Sequence, residues 1–321
     1  MVLSIIIALY NAEQYVLECL KSIDLQLNKS IEVIIVNDSS QDNSLIVVQN
    51  FVNSSTFSAN YKVFSFEKNM GVGYVRTFAT QQSKGKYIVS IDPDDIIRKD
   101  YIQKISNVLI NELPDIVQFH INRFEKDIEQ SLRMSKFPIS SGMHNLDGKL
   151  KQKIYEQSFW SFCTRVIKRD LIDGLDFSML RNCEDVYALP LVLLKANFIY
   201  YLDEEIYYYR YSNISLSKSS SKFNIINTTN SYLYIIHKYI HLIESGEEQL
   251  YYAVIPIIGG YLDFCLKNYP VNYSYDEWYK FKKSLKKNNK QLKPCLKVSH
   301  NFLLYGGVTG LRLFNKLRGL R

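Results

Sequence analysis

The segment 86-KYIVSIDPDD-95 combines a short apolar run with three carboxylates in four positions. The run KYIVSI is rich in β-branched residues, which predicts a buried strand. Asp92, Asp94 and Asp95 follow it directly. Carboxylates this close repel one another unless a cation or a donor group compensates their charge. We therefore expect a cation or a polar ligand at the carboxyl end of this strand.

The sequence before this segment alternates between two patterns. Short apolar, β-branched runs predict strands, and the segments between them have apolar residues at the spacing of a helix. Such alternation predicts an α/β fold with a mostly parallel central sheet and helices on both faces. Ligands bind such sheets at the carboxyl ends of the strands, where the strand order reverses. The predicted strands are 2–8, 31–38, 61–67 and 86–93, and the predicted helices are 12–26, 42–52 and 71–85.

The second half of the chain predicts fewer strands. We expect a helix near 99–111, a strand at 115–121, an irregular region to about 154 and a helix at 183–196. Two strand-like runs follow, and then a serine-rich loop. From about residue 223 the pattern is helical. We therefore predict a catalytic domain at 1–217 and a helical C-terminal region at 218–321.

Composition excludes several classes of protein. The five cysteines are odd in number and form no CxxC pair, which argues against a disulfide framework or a zinc site and fits a reducing compartment. The start MVLSIIIALY lacks the basic region of a signal peptide. The longest apolar candidate, LYYAVIPIIGGYL at 250–262, contains a proline and two glycines, and we expect no membrane span.

The net charge of +7 is unevenly distributed. Residues 278–321 hold 12 Lys and Arg and no acid, whereas residues 1–277 hold 27 basic and 32 acidic side chains. Leucines and a phenylalanine alternate with the last basic residues, which is typical of an interfacial helix on anionic lipid. A solvated cationic helix face is the alternative. Because the first 277 residues are acidic overall, we expect no nucleic-acid binding.

Two polar motifs precede the acidic segment. Asp38 directly follows the run IEVIIVN, and it either contacts a nucleotide or caps the next turn. Asn69, Gly71 and Gly73 predict a turn into a helix, and this lone GxG is weak evidence for phosphate binding. Arg76 lies one turn into that helix, where it either binds a diphosphate or forms a surface ion pair.

The acidic segment itself suits a hard cation. Mg²⁺ uses one or two carboxylates together with substrate phosphates, so Asp92 and Asp94 can serve a ribose and a metal ion. Asp95 is the residue best explained as a helix cap. A second acid pair, Glu184 and Asp185, opens the predicted helix 183–196. Acids at a helix start are usually dipole-favoured surface residues, and catalysis is the alternative.

In order and spacing, these motifs resemble the family 2 glycosyltransferases, which have the GT-A fold. The resemblance covers about Val2–Ser217 and is closest to bacterial enzymes that build capsule, lipopolysaccharide or other surface glycans. It implies a metal-dependent inverting transfer from a nucleotide-sugar, with UDP as the expected nucleotide and Mg²⁺ or Mn²⁺ as the cofactor. The expected acceptor is a glycan, either free or lipid-linked, and the expected location is the cytoplasm, either free or peripheral on the inner face of the cytoplasmic membrane.

The resemblance also implies roles for individual residues. It places Tyr10 and Asp38 at the nucleotide base, Arg76 near the base and diphosphate, Asp92 at the ribose and Asp94 at the metal. It further implies Asp185 as the catalytic base, with Glu184 beside it in the acceptor pocket, and Trp160 between the donor and acceptor regions. Relatives often carry a histidine after the second strand-like run. This chain has none there, so Arg210 or a water is the expected third metal partner.

Two other classes of function share these features. A nucleotidyltransferase has a similar sheet and acidic metal site, but usually carries a Gly-rich basic loop after its first strand, and ALYNAEQY has neither feature. A catalytically silent nucleotide-sugar-binding module would keep the fold without the reaction.

Overall fold

The computed structural model describes residues 1–133, 137, 139–211, 221–288 and 298–317. The chain divides into two compact units, residues 1–146 with 161–219 and residues 147–160 with 220–321. All strands of the described residues lie in the first unit. The predicted boundary at 217/218 lies outside the described residues, as does most of the predicted serine-rich loop.

The strands and helices predicted for the first 120 residues are present. The apolar runs became strands because both faces of the sheet are covered, and β1 and β2 are buried along almost their whole length. The strands are β1 (Leu3–Leu9), β2 (Ile31–Asn37), β3 (Tyr61–Ser65), β4 (Tyr87–Ser90), β5 (Ile96–Ile97), β6 (Ile116–Phe124), β7 (Leu132–Arg133), β8 (Gly142–Asn145), β9 (Arg165–Lys168) and β10 (Phe198–Arg210).

The helices of the first unit cover this sheet. In the first of them, Val16, Cys19, Leu20 and Ile23 are buried at i, i+3, i+4 and i+7, the spacing of one helix face. The helices are α1 (Val16–Asp24), α2 (Ser44–Ser54), α3 (Val72–Gln82), α4 (Tyr101–Asn111), α6 (Arg169–Ile172) and α7 (Glu184–Lys195), while α5 (Gly148–Gln157) belongs to the second unit.

The strand order is β3-β2-β1-β4-β9-β6-β10-β5, with β7 paired to β6 and β8 to β10. β1 is parallel to both β2 and β4, so that Leu3 pairs with Ile31 on one side and with Tyr87 on the other. The chain runs outward from β1 to β3 and returns to the other side of β1 as β4. The strand order therefore reverses between β1 and β4, and the residues after these two strands lie side by side.

The sheet is mixed. β6 and β10 are parallel to each other, but β9 lies antiparallel between β4 and β6. The predicted α/β class is confirmed, and the irregular region expected at 123–154 contains the short strands β7 and β8 and helix α5.

The two strand-like runs at 198–204 and 206–212 are one strand, β10, which corrects our expectation of two. Its register against β6 shifts between Leu202 and Glu205 and again between Glu205 and Tyr207. Such irregularities bend a strand without ending it. The acidic residues Asp203–Glu205 interrupt the apolar pattern at this place. This interruption is why the sequence pattern predicts two separate strands.

The second unit consists of helices α5, α8 (Lys222–Glu244), α9 (Tyr251–Asn268), α10 (Val271–Asn288) and α11 (Val298–Leu317). The segment Glu248–Asn268 is long and apolar enough to cross a membrane, which is more than we expected from the run at 250–262. However, 61% of its apolar window is buried inside the structure, as in the core helix of a globular unit.

Helix α11 is broken at Gly307, where φ is +58° and ψ is −145°. A side chain at this position would place its Cβ 2.5 Å from Nε1 of Trp278 on α10. Glycine is therefore required both for the left-handed backbone and for the close approach of α10.

Candidate active site

The sequence-predicted donor residues lie at the carboxyl ends of neighbouring strands. Tyr10 follows β1, Asp38 follows β2 and Asp92 follows β4. The turns after β1 and β2 are joined by hydrogen bonds, because the Asn11 N–H donates to Ser40 Oγ at 3.1 Å. This edge of the sheet is the reversal point at which an α/β fold binds ligands.

Asp38 fixes the turn that begins helix α3. It is 3% exposed, and its two carboxylate oxygens accept the backbone N–H groups of Met70, at 2.6 Å, and Gly71, at 2.9 Å. The carboxylate thus holds a turn that is distant in sequence instead of capping its own. Each oxygen keeps a second lone pair, so a contact with a nucleotide base stays a prediction.

The two glycines of this turn serve backbone packing. Gly71 has φ of +93°, and the Gly73 N–H donates to the Leu180 carbonyl at 3.2 Å. A Cβ at Gly73 would lie 2.2 Å from that oxygen. The motif therefore lets the segment 177–181 approach helix α3, and a phosphate contact by these glycines stays a prediction.

Arg76 connects the acids of the two motifs. Its Nη2 donates to Asp92 Oδ1 at 2.6 Å, its Nη1 donates to Glu184 Oε1, and its Nε donates to Ser90 Oγ at 3.1 Å. Burial opposes the charge of the guanidinium, but Glu184 and Asp92 outweigh this and raise the pKa of Arg76. The predicted surface ion pair is a buried one, and a contact with a diphosphate stays a prediction.

The acids of the turn after β4 have different surroundings. Asp92 pairs with Arg76, and 30% of its side chain is exposed. Burial raises the pKa of Asp94 to about 6, and the charge of Asp92 adds to this effect while Arg210 opposes it. Asp94 is thus a carboxylate whose negative charge the described protein groups compensate only in part.

Asp95 is a buried anchor for β10, and our expectation that it caps a helix is wrong. Its Oδ2 accepts the Tyr207 hydroxyl at 2.5 Å, and its Oδ1 accepts the Arg210 N–H at 2.7 Å. The Tyr207 oxygen in turn accepts the Asp92 N–H at 3.1 Å. The short strand β5 separates Asp95 from α4, so the carboxylate is too far from that helix to cap it.

Arg210 lies beside the metal candidate but is no ligand. Its Nε donates to the Asp94 carbonyl at 2.8 Å, its Nη2 donates to Glu18, and its guanidinium lies over Tyr15 and Phe124. A guanidinium has only donors, so the expectation that Arg210 replaces a histidine ligand is wrong. It supplies positive charge next to Asp94 instead.

The second acid pair opens helix α7. Cys183, in the left-handed conformation with φ of +62°, precedes Glu184, which is 3% exposed and bound to Arg76. Burial raises the pKa of Asp185 to about 7, and Glu184 raises it further while Arg76 opposes them. Asp92 also contributes to this rise. The acids after β4 and the acids of α7 therefore share one site.

Two groups of side chains come into question for a cation. Ligand atoms of Asp92, Asp95 and Cys163 lie within 4.8 Å of one another. The Cys163 thiol is a soft ligand that hard cations such as Mg²⁺ disfavour, and both Asp95 oxygens already accept hydrogen bonds. Asp94, with Asp92 nearby, fits a hard cation better. Burial and Asp92 disfavour the charged form of Asp94, and a bound cation would stabilise that form.

Trp160 belongs to the second unit. Its ring is 6.1 Å from that of Tyr155, and 9% of the residue is exposed. The predicted role of Trp160 between the donor and acceptor regions stays a prediction.

Sequence reasoning missed several residues of the site. Tyr207 lies within the apolar run of β10, where nothing distinguishes its hydroxyl from that of an ordinary core tyrosine. Arg165 is 4% exposed, and burial lowers its pKa to about 10, while Cys163 and Asp185 oppose this. A basic residue inside the strand run TRVIK was the one available signal for it.

Two curated proteins of Streptococcus pneumoniae serotype 4 are similar to this chain. Glycosyltransferase GlyA is 26% identical over 236 residues, which are 67% of this chain and 31% of GlyA. Glycosyltransferase GlyG is 24% identical over 226 residues, which are 68% of this chain and 73% of GlyG. The matched region is thus about a third of GlyA and most of GlyG.

A third relative has a solved structure. Poly(ribitol-phosphate) β-N-acetylglucosaminyltransferase TarS of Staphylococcus aureus is 26% identical over 213 residues, 64% of this chain and 35% of TarS. The crystal structure of TarS 1–349 superimposes with a TM-score of 0.67 at 20% identity, covering 99% of this chain and 92% of that one. The same fragment is known in complex with UDP-GlcNAc, with a TM-score of 0.64.

The likeness to TarS confirms the predicted GT-A fold. The model of the family described as glycosyl transferase family 2 matches residues 4–175, which is more than half of the chain. This match includes β1, β2, β4 and the acidic turn that follows β4. The chain therefore belongs to glycosyl transferase family 2.

Proposed function

We propose that this chain transfers a sugar from a UDP-sugar to a hydroxyl of a bacterial surface glycan, with inversion at the anomeric carbon and with the help of Mg²⁺ or Mn²⁺. The observation that carries the proposal is the double contact of Arg76. One guanidinium binds both Asp92, from the turn after β4, and Glu184, from the start of α7. Donor acids and acceptor acids thus lie in one site.

Asp94 is the residue we assign to the cation, with Asp92 at the ribose. When bound, the cation neutralises charge on the diphosphate and stabilises the leaving group. Tyr10 and Asp38 are assigned to the nucleotide base, because Tyr10 follows β1, the neighbour of β4 at the reversal point, and Asp38 follows β2, the next strand beyond β1. Arg76 acts as a positioning residue that holds Asp92 and Glu184 at a fixed separation.

Asp185 is the proposed general base. Its carboxylate takes the proton of an acceptor hydroxyl while that oxygen forms a bond to the anomeric carbon from the face opposite the nucleotide. The bond between this carbon and the diphosphate oxygen breaks, and the nucleoside diphosphate leaves with the electron pair. A pKa near 7 suits a base at neutral pH, since it balances the deprotonated fraction against basicity. Glu184 shapes the acceptor pocket beside it.

The donor and acceptor classes rest on the relatives. TarS 1–349 has been solved with UDP-GlcNAc, and TarS is named for transfer of N-acetylglucosamine to poly(ribitol phosphate). We propose UDP as the nucleotide and a capsule, lipopolysaccharide or similar surface glycan as the acceptor. Assembly of such a glycan, lipid-linked during synthesis, would place the enzyme in the cytoplasm at the inner face of the membrane.

The test is nucleotide release from a panel of donors. The purified chain is incubated with UDP-, GDP- and CMP-sugars in Mn²⁺ or Mg²⁺, with and without EDTA. We expect slow hydrolysis of a UDP-sugar that stops with EDTA. Loss of this hydrolysis in Asp94→Ala, but not in the exposed control Asp170→Asn, would support the site.

Two outcomes would contradict the proposal. Release from a GDP- or CMP-sugar alone would overturn the choice of UDP but not the site. Binding of UDP without turnover of any donor, both with and without acceptor glycans, would favour a silent nucleotide-sugar-binding module.

A further inference from the structure

Helix α10 exposes two tyrosines along one flank, next to a half-buried lysine. Tyr275, Tyr279 and Lys282 lie at i, i+4 and i+7, so they share a face of the helix. Tyr279 is 72% exposed and Tyr275 is 38% exposed. The side of α10 that packs into the second unit carries Trp278 and Phe281, both buried. The exposed tyrosines are therefore additional to the core of this helix.

The segment of α11 after Gly307 has a matching face. Thr309, Arg312, Leu313 and Lys316 lie at i, i+3, i+4 and i+7, and all four are exposed. Leu313 is 51% exposed, although the other side of the same segment is buried. This segment therefore presents two basic residues and an apolar residue together on its outer side.

The two faces form one surface. The Tyr275 hydroxyl and Thr309 Oγ1 are 2.9 Å apart. The interactions of the Tyr275 hydroxyl with Thr309 and Arg312 lower its pKa. We name this surface the basic aromatic face; it consists of Tyr275, Tyr279, Lys282, Thr309, Arg312, Leu313 and Lys316.

Charge selects the class of partner. The basic aromatic face has three basic residues and no acid; Asp276 is an exposed acid of α10 beside it, and residues 278–321 hold no acid. Two copies of this chain meeting symmetrically through the face would bring like charges together. An anionic surface complements it instead. Tyrosines and an exposed leucine between basic residues suit the headgroup region of a bilayer, where a side chain needs an apolar and a polar neighbour.

We propose that the basic aromatic face binds an anionic phospholipid surface. Arg312, Lys316 and Lys282 would contact lipid phosphates, while Tyr279 and Leu313 would enter the boundary between headgroups and acyl chains. The inference rests on the proposed function for its biological purpose, because a surface glycan is assembled at a membrane. Lipid binding itself, however, is measurable without any sugar transfer.

The test is sedimentation of the full chain with vesicles. One set contains phosphatidylcholine alone and the other contains phosphatidylglycerol as well, each at low and high salt. We expect binding to the anionic vesicles that weakens with salt. Arg312→Gln/Lys316→Gln should weaken it about 30-fold, because each basic residue near such a surface contributes about 1 kcal/mol. Tyr279→Ser/Leu313→Ser should weaken it with little change in the salt dependence.

A matched control has the same loss of charge elsewhere in the second unit. Lys149→Gln/Lys153→Gln removes two exposed lysines of α5 and should leave vesicle binding within about twofold, because these residues lie outside the face. Substitutions are preferable to removing residues 280–321, because that deletion would take out the buried Phe281, Leu285 and Leu303. Thermal unfolding of each variant shows whether it folds.

Three results would overturn the proposal. These are equal binding to neutral and anionic vesicles, equal loss in the α5 control, and a concentration-dependent dimer that Tyr279→Ser/Leu313→Ser abolishes. Donor hydrolysis is measured without vesicles on the same variants, so that a failure of lipid binding can be told apart from a failure of the proposed reaction. A variant that hydrolyses the donor but no longer binds vesicles leaves the proposed UDP-sugar donor and the proposed base Asp185 unaffected.

Discussion

Arg76 and Asp92 form an ion pair of 2.6 Å between helix α3 and the turn after β4. The same guanidinium binds Glu184, and the two side chains of this second pair are 11% and 4% exposed. A buried carboxylate that loses its arginine partner keeps a negative charge that nothing compensates, which is costly in a low-dielectric interior. Arg76 therefore has a structural role and an electrostatic one, and the two can be separated by measurement.

Replacing Arg76 with methionine should both destabilise the protein and shift its pH profile. Loss of the partner of a buried charge costs about 3–5 kcal/mol. Because Arg76 lowers the pKa of Asp185, its removal should move the midpoint of kcat/KM against pH above about 7. Thermal unfolding and the pH dependence of kcat/KM measure the two effects.

Arg123→Met is the control. The ion pair of Arg123 with Glu125 is exposed, and the Arg123 guanidinium lies 3.2 Å from the centroid of the Tyr211 ring. An exposed ion pair contributes about 0–1 kcal/mol and an exposed cation–π contact about 0.5–1 kcal/mol, so this variant should be destabilised less than Arg76→Met and should keep its pH midpoint. An unchanged midpoint in a folded Arg76→Met enzyme would show that Arg76 does not act on the base.

Asp185→Asn should abolish the rise of activity with pH. A general base works when deprotonated, so kcat/KM of the wild type should increase as pH passes through about 7, the raised pKa of Asp185. Removing a positioned base costs about 10²–10⁴-fold in rate. Binding of UDP, measured by calorimetry, should remain. Near-normal turnover in this variant would exclude Asp185 as the base, and the exposed Asp170→Asn serves as its control.

The strand-end motifs could be predicted from sequence because their physical signals are local. Apolar β-branched runs defined β1, β2 and β4, and polar residues directly after them had to meet at one edge of the sheet. The double contact of Arg76 could not be predicted. Its partners are far apart in the sequence, and a helical arginine facing solvent has the same local pattern as one facing two acids.

The same limit explains the errors. Asp95 resembles a helix cap because an acid before a helix usually is one, whereas its partners Tyr207 and Arg210 come from β10 at the other end of the first unit's sequence. The sequence pattern predicts two strands in place of β10, because the charged residues at its register shifts interrupt the apolar run. In both cases, pairing between distant segments decided the outcome, and a single sequence does not reveal that pairing.

Asp94→Asn should remove the effect of EDTA on nucleotide binding. The asparagine amide lacks the negative charge that attracts the cation. The affinity for UDP in Mn²⁺ should therefore fall to the value measured without metal. Calorimetric titration of UDP with and without EDTA gives both values. The comparison is Asp38→Asn, which should weaken UDP binding equally in both conditions if Asp38 serves the base. Retained EDTA sensitivity in Asp94→Asn would assign the cation to other ligands, with Asp92 as the first candidate.

Gly73→Ala should destabilise the first unit although it adds only a methyl group. The new Cβ would lie 2.2 Å from the Leu180 carbonyl oxygen and 2.5 Å from that of Phe177, and both neighbours are backbone atoms. Overpacking of this kind costs about 1–3 kcal/mol. Gly306→Ala is the control, because its Cβ would meet no atom within 4 Å. We expect a lower unfolding temperature for Gly73→Ala alone, with weaker donor hydrolysis if segment 177–181 moves and displaces the start of α7. Equal unfolding temperatures for the two variants would contradict the close packing of this segment on α3.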